Sequence, residues 1–210
     1  MGSLGSSAAP VEASKAEPKK EEAKAPVKAA PVKAAKPAPK PPVKVLRFKT
    51  WEISNYGAET LLFPAAEVNP GMTFNFFNCE KTKVVIEGKF KNAMLSRCKK
   101  MDIKMDECMS MMEILKCENV KMTVIKKCPM VSIELSNGIQ VYTTAESKLC
   151  TQLSTTASQS VSFIYPKNEG TFDPNDEEDD DEKTDVIPET YVSKLDAKDK
   201  LTVTPQLGID

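Results

Sequence analysis

Between residues 79 and 124 apolar side chains recur at every second position, and the whole pattern repeats every 19 residues. Cys79, Cys98 and Cys117 each open the same phrase. Three, five and seven residues later come Thr82, Val84 and Ile86, then Met101, Ile103 and Met105, then Val120, Met122 and Val124. Alternation of this kind is the mark of a strand with one buried face, and a fixed period near twenty is the mark of a solenoid. One further step lands on Ser136, followed by Ile139, Val141 and Thr143 in the same slots, so the repeat survives where a hydroxyl replaces the thiol.

Nineteen residues at roughly 3.3 Å each close a coil of only about 60 Å perimeter, room for two or three short strands and their corners. Residues 76–165 lack the apolar spacing of a long amphipathic helix, and β-branched residues and Met fill the apolar slots. The leucine consensus of leucine-rich repeats is missing. The pattern therefore predicts an all-β parallel β-helix. Leu61 and Phe63 upstream, with Val161, Ser162 and Phe163 downstream, extend it to about six coils over residues 46–166. Each coil buries its inner face only on its neighbours, so the two ends need covers.

The outward positions stack as well. Lys83, Asp102, Lys121 and Gln140 form one row, and Val85, Lys104, Thr123 and Tyr142 the next. Such rows serve either as a solvated face of alternating sign, each exposed pair contributing under ~1 kcal/mol, or as a flat sheet suited to a broad protein partner.

Composition changes the picture at the two ends. Residues 1–45 hold eight prolines, nine lysines and four glutamates with no aromatic residue, which predicts a disordered Lys/Ala/Pro-rich arm ahead of a domain at 46–210. An acidic insert at 173–185 contains the unbroken block Asp176–Glu182 and reads as a solvated loop or tail. The net charge of −1 thus hides a basic arm and an acidic insert, and gives no support for nucleic-acid binding. No run of eighteen apolar residues and no hydrophobic leader occurs, so a cytosolic location is expected. A reducing compartment fits cysteines stacked ~4.8 Å apart and packed as small hydrophobes.

The chain has no histidine, which removes Ser-His, Cys-His and His-metal chemistry together. It also lacks a Cys-x-x-Cys pair and a phosphate-cradling glycine loop, and no metal or cofactor is expected. Polysaccharide-cleaving β-helices use Asp, Lys and Arg but are larger and secreted. Binding is therefore favoured over catalysis. The start Met1-Gly2-Ser3-Leu4-Gly5-Ser6 matches the acylation pattern at Gly2, and equally matches a cloning remnant. One acyl chain anchors only marginally, and the lysine-rich arm would add attraction to anionic lipid, giving a weak peripheral membrane association. At the other end, Tyr191–Leu195 and Lys200–Thr204 flank the turn-rich Asp196-Ala197-Lys198-Asp199, which predicts a hairpin. Exchange of that hairpin between two copies would satisfy open strand edges, with Tyr191, Val192, Leu195, Leu201 and Val203 as the dimerisation residues.

Several phrases together resemble a known family: Lys49-Thr50-Trp51-Glu52-Ile53-Ser54-Asn55, Ile86-Glu87-Gly88-Lys89, Cys98-Lys99-Lys100 with Asp106, Val120-Lys121, Pro129-Met130-Val131-Ser132-Ile133 and Ile187-Pro188-Glu189-Thr190-Tyr191. In order and spacing they are similar to the C-terminal domain of cyclase-associated proteins, over residues 46–210. The resemblance implies a right-handed parallel β-helix that dimerises by exchanging its C-terminal hairpin over residues 187–210. It also implies binding to actin monomers, ADP-bound ones preferred, and promotion of ADP-to-ATP exchange for filament turnover in the cytoplasm. On the family's pattern the actin-binding surface is the outer sheet with the extreme C-terminus, here Lys83, Lys99, Lys100, Asp102, Lys104, Asp106 and Lys121 with Leu207, Gly208, Ile209 and Asp210. The family's N-terminal helical domain, its long proline string and a WH2 motif have no counterpart before Trp51, as in short protozoan forms, so monomer recycling is the expected role. A tubulin-cofactor-like or lectin-like β-helix with another ligand is the alternative. A lectin would display aromatic platforms, and Trp51 and the four tyrosines are scattered.

Overall fold

Each 19-residue phrase folds as two strands around a sharp corner, and the corner explains why a small side chain recurs in the cysteine slot. The computed structural model describes residues 40–167, 182–195 and 201–206. At every corner the residue before that slot and the residue two after it are left-handed. The pairs are Asn55/Ala58, Asn78/Lys81, Arg97/Lys100, Lys116/Asn119, Leu135/Gly138 and Ala157/Ser160, with φ from 48° to 70°. Two such reversals three residues apart swing the chain from one sheet to the other. The slot between them faces inward and lies close to the backbone, so Cys79, Cys98, Cys117 and Ser136 are at most 3% exposed.

Strand β1 (Val43–Arg47) leads into six coils. They comprise β2 (Thr50–Ser54) and β3 (Thr60–Phe63), β4 (Thr73–Phe77) and β5 (Lys83–Phe90), β6 (Asn92–Ser96) and β7 (Lys99–Cys108), β8 (Met111–Leu115) and β9 (Glu118–Lys127), β10 (Met130–Glu134) and β11 (Asn137–Thr143), and β12 (Gln152–Thr156) and β13 (Gln159–Pro166). β14 (Glu182–Val186) follows, and β15 (Thr190–Leu195) pairs antiparallel with β16 (Leu201–Gln206) as a separate hairpin. The first sheet runs β1-β2-β4-β6-β8-β10-β12 and the second β14-β13-β11-β9-β7-β5-β3. Within the coils all pairing is parallel. Each sheet is closed at one end by an antiparallel strand, β1 on β2 and β14 on β13.

The inward residues of both sheets meet in one core that changes character along the stack. Trp51, Phe63, Phe74 and Phe90 form a chain of edge-on ring contacts, with centroids 5.4, 4.9 and 5.3 Å apart, in the first coils. Met101, Ile103, Met105, Met112 and Ile114 fill the middle, and Val131, Ile133, Ile139 and Val141 the later coils, all at most 2% exposed. The last turn is closed by hydroxyls. Ser147 Oγ donates to Val124 O at 2.8 Å, and Thr151 Oγ1 to Ser147 O at 3.0 Å.

Three boundaries differ from the sequence reading. The arm was expected to reach residue 45, yet Val43–Val45 belong to β1, in register with Ser54, Ile53 and Glu52. The two prolines at 41 and 42 stop just short of the strand, so its donors stay intact. The acidic insert was expected as a loop through residue 185, yet Glu182–Asp185 pair with Pro166–Phe163. Backbone hydrogen bonds hold this edge, helped by the Tyr165 hydroxyl, which donates to Asp185 Oδ2 at 2.6 Å and holds that carboxyl below its usual range. The Asp176–Asp181 part of the block lies outside the described residues, as do Gly2 and the rest of the arm to residue 39. The hairpin strand expected at Lys200–Thr204 runs Leu201–Gln206, and its Asp196–Asp199 turn lies outside the described residues.

Corner geometry gives a direct stability test. Leu135 sits at φ 51° with its side chain 54% exposed, so the left-handed backbone costs energy that packing does not return. Leu135→Gly is expected to stabilise the fold by about 0.5–1 kcal/mol net of the glycine's extra chain entropy, and Leu135→Val to destabilise it. Denaturant midpoints that fall with Leu135→Gly would contradict this account of the corner.

Candidate protein-docking face

Parallel pairing puts residues 19 apart side by side, so the outward rows are real ladders. Lys83 stands beside Asp102, Lys121 and then Gln140, and Val85 beside Lys104, Thr123 and Tyr142. Lys83 Nζ lies 3.5 Å from Asp102 Oδ2. Lys121 Nζ sits 4.6 Å above the Tyr142 ring. In the neighbouring row Glu80, Lys99 and Glu118 are adjacent, and Lys99 Nζ meets Glu118 Oε2 at 2.9 Å. These pairs are exposed and each contributes under ~1 kcal/mol, so their arrangement matters more for recognition than for stability.

The left-handed corner adds a further ladder beside these rows, running Lys81, Lys100, Asn119, Gly138 and Ser160. A shallow groove of about 500 Å³ lies between the corner ladder and the Asp102 row, bordered by Lys100, Asn119, Lys121, Gln140, Ser160 and Ser162. Gly138 forms its floor. A Cβ there would come within 2.7 Å of Asn119 Oδ1, at a φ of 70° that favours glycine. Among the described residues Lys100 and Lys104 meet no carboxylate, so the face has cations to offer a partner.

Lys83, Lys99, Lys100, Asp102, Lys104 and Lys121 are thus brought together on the second sheet. Asp106 is the next outward residue of β7 after Lys104, where the pairing shifts register on both sides. Its carboxylate accepts from Gly88 N at 3.1 Å and Lys126 Nζ at 3.2 Å, binding two bulged neighbours together. Asp106 thus ties three neighbouring strands together beside Lys104. Leu207, Gly208, Ile209 and Asp210 lie outside the described residues.

Lys81, Asn119, Ser160 and Ser162 went unrecognised in the sequence. Lys81 and Asn119 occupy the same step after a cysteine as Lys100, a signal that was legible once the corner ladder is known. A second thiol column was also missed: Cys108 and Cys128 are fully buried, and Cys150 continues the series half-buried. Its step of 20 reflects the extra residue of β9 opposite Asp106, and its step of 22 the longer turn ahead of β12, which offsets the whole last coil by 22.

The outer face of the first sheet is chemically different. Its outward residues include Glu52, Asn75, Met94, Glu113 and Ser132 across successive strands, with no lysine or arginine at any outward position of β2 to β12. The cation on this face comes from β1, where Arg47 Nε lies 3.6 Å from Glu52 Oε2.

Comparison with known proteins agrees with this architecture. Residues 40–206 match the family model described as adenylate cyclase associated (CAP) C terminal. An adenylyl cyclase-associated protein of Hydra viridissima is 31% identical over 64% of this chain and 28% of its own length. The bovine adenylyl cyclase-associated protein 1 is 26% identical over 81% of this chain and 33% of its own length. The chain therefore spans about a quarter to a third of the curated relatives it matches. A crystal structure of cyclase-associated protein from Cryptosporidium parvum shares the fold, with a TM-score of 0.67 at 21% identity, covering 81% of this chain and 97% of that one. From its family match over the six coils, both antiparallel end strands and the hairpin, the chain belongs to the adenylate cyclase-associated protein family through its C-terminal domain.

Proposed function

We propose that the outer face of the second sheet binds the actin monomer, ADP-bound in preference, and that the chain thereby promotes exchange of ADP for ATP and returns monomers to filament turnover. The observation that carries this reading is the segregation of charge. Six lysines, Lys81, Lys83, Lys99, Lys100, Lys104 and Lys121, share one face with Glu80, Asp102 and Glu118, and with Glu87 and Asp106 further along the same strands, while the outward positions of β2, β4, β6, β8, β10 and β12 carry no cation. A broad, weakly concave basic face suits an acidic protein surface better than a small molecule, which needs an enclosing pocket. Lys100 and Lys121 border the groove at its centre, where binding energy concentrates. The double change Lys100→Ala/Lys121→Ala is expected to weaken binding of ADP-actin monomers by about 1–3 kcal/mol with an unchanged circular dichroism spectrum. Etheno-ATP exchange on ADP-actin, followed with the parent and the double variant, tests it. Absence of acceleration by the parent would reject the exchange role, and equal acceleration by both would move the site elsewhere.

The same reading includes a homodimer. The hairpin β15–β16 forms its own sheet, and Leu201 and Val203, two residues apart on one side of β16, are 59% and 54% exposed. Among the described residues the first sheet ends at β12 with no strand beyond it, so an edge is open to a second copy's hairpin. Light scattering is expected to give twice the chain mass for the whole protein. Truncation after Glu189, which keeps the Ser160 N to Glu189 contact and the Ile187 N to Val161 O bond, should give the monomer. A monodisperse monomer from the whole chain would exclude hairpin exchange.

A further inference from the structure

The turn joining β1 to β2 consists of two residues, Phe48 and Lys49, and Phe48 is its anomaly. Its φ is 57°, in the left-handed region, and its side chain is 104% exposed. Two-residue hairpins favour Gly, Asn or Asp in such a position, and a bulky aromatic side chain there is a conformational outlier. The ring therefore costs stability through the backbone and returns none through packing. An apolar ring held out in this way is suited to an apolar medium outside the fold.

The surroundings identify that medium. Arg47, whose Nε lies 3.6 Å from Glu52 Oε2, precedes the ring, and Lys49 follows it. Val43, Val45 and Leu46 are 39%, 37% and 43% exposed along the adjoining strand. Lys44 extends over the Trp51 and Phe63 rings, 5.3 and 4.4 Å from their centroids, and brings another cation to the same end of the stack. In the sequence, Lys24, Lys28, Lys33, Lys36, Lys40, Lys44, Arg47 and Lys49 follow one another with no carboxylate between Glu22 and Glu52. A protein pocket could take a single ring, but it would have no use for cations spread along so long a stretch. A bilayer containing anionic lipid uses both: the ring enters the boundary between headgroups and acyl chains while the cations meet the negative surface.

We propose that the β1–β2 turn is a membrane-insertion tip, with Phe48 as its wedge and the flanking basic residues as its electrostatic contact with anionic phospholipid. Docking by this end of the solenoid leaves the rows from Lys83 to Gln140, which begin one coil further along, free for a protein partner. The proposal does not rest on the actin reading.

The test uses the whole chain, unacylated at Gly2, in flotation with large unilamellar vesicles of phosphatidylcholine alone or mixed with phosphatidylserine. Binding is expected to the mixed vesicles only, and to fall as salt rises. Phe48→Gly should lower partitioning roughly tenfold while raising the melting temperature and leaving actin-monomer affinity unchanged. Phe48→Trp should retain binding, with a blue shift of its emission on the mixed vesicles. Absence of parent binding to the mixed vesicles, or equal partitioning of the parent and Phe48→Gly, overturns the proposal. Loss of actin affinity in Phe48→Gly overturns it too, since the ring would then belong to a protein interface.

Discussion

Replacing Cys98 by Asp is expected to leave the chain unfolded, whereas Cys98→Ala should cost only on the order of 1 kcal/mol. Cys98 is 0% exposed, its Sγ lies 3.5 Å from Ser96 O, and it is stacked between Cys79 and Cys117 at the inside of two corners. A carboxylate there would have no cation to meet and no path to water. The neighbouring thiols of Cys117 and Cys79, then burial, push the Cys98 thiol up from its ordinary 9.0, and Cys108 with burial does the same to Cys128. The same contacts draw the thiols of Cys79, Cys117 and Cys108 down, so Cys98 and Cys128 are the members of their stacks that hold their protons longest. Their contribution to stability is complete below about pH 9 and declines above it, because only the unfolded chain releases the protons. Each adds a slope of about 1.4 kcal/mol per pH unit past that point. Denaturant titrations at pH 8, 9 and 10 should show this loss, reduced in Cys98→Ala. Rapid reaction of native Cys98 with a thiol reagent, or stability unchanged across that range, would contradict the assignment.

Phe74→Ala is expected to be the most damaging of the apolar truncations, at roughly 3–5 kcal/mol. The ring is fully buried and makes edge contacts with Phe63 at 4.9 Å and Phe90 at 5.3 Å, so its removal opens a cavity bordered by two other rings that cannot collapse into it. These coils also carry the end cap, where β1 covers only the first sheet and Lys44 reaches over the aromatic chain. Urea midpoints measure the effect. A loss under about 1 kcal/mol would mean that the aromatic chain is dispensable to the stack.

The second sheet was legible because its strands carry the strictest repeat: a cysteine or serine, then three alternating apolar slots, at constant spacing from Cys79 to Thr143. That spacing also placed the Lys83 and Val85 rows correctly, since in a parallel stack register follows from period alone. The first sheet keeps the same step, through Thr73, Asn92, Met111 and Met130, but its inward residues change from Phe to Leu, Ile and Val, and identity rather than period drew the eye. The corners were hidden for another reason. Left-handed positions are usually flagged by Gly or Asn, and here Lys81, Arg97, Lys100, Lys116 and Leu135 occupy them, imposed by coil closure against local preference. β14 was missed because an edge strand held by backbone pairing tolerates Glu, Lys and Asp, which read as solvated loop. The phrase around Asp106 gave no sign of its contacts with Gly88 N and Lys126, because the strand bulges there break the 19-residue period.

The most direct test of the account is hydrogen–deuterium exchange on the whole chain with and without ADP-actin monomers. Protection on binding is predicted in the segments containing Lys99–Lys104, Glu118–Thr123 and Asn137–Tyr142, the adjacent outward rows of the second sheet. Segments Asn92–Ser96 and Met111–Leu115 of the first sheet should be unchanged. Protection confined to the first sheet, or none at saturating actin, would contradict it.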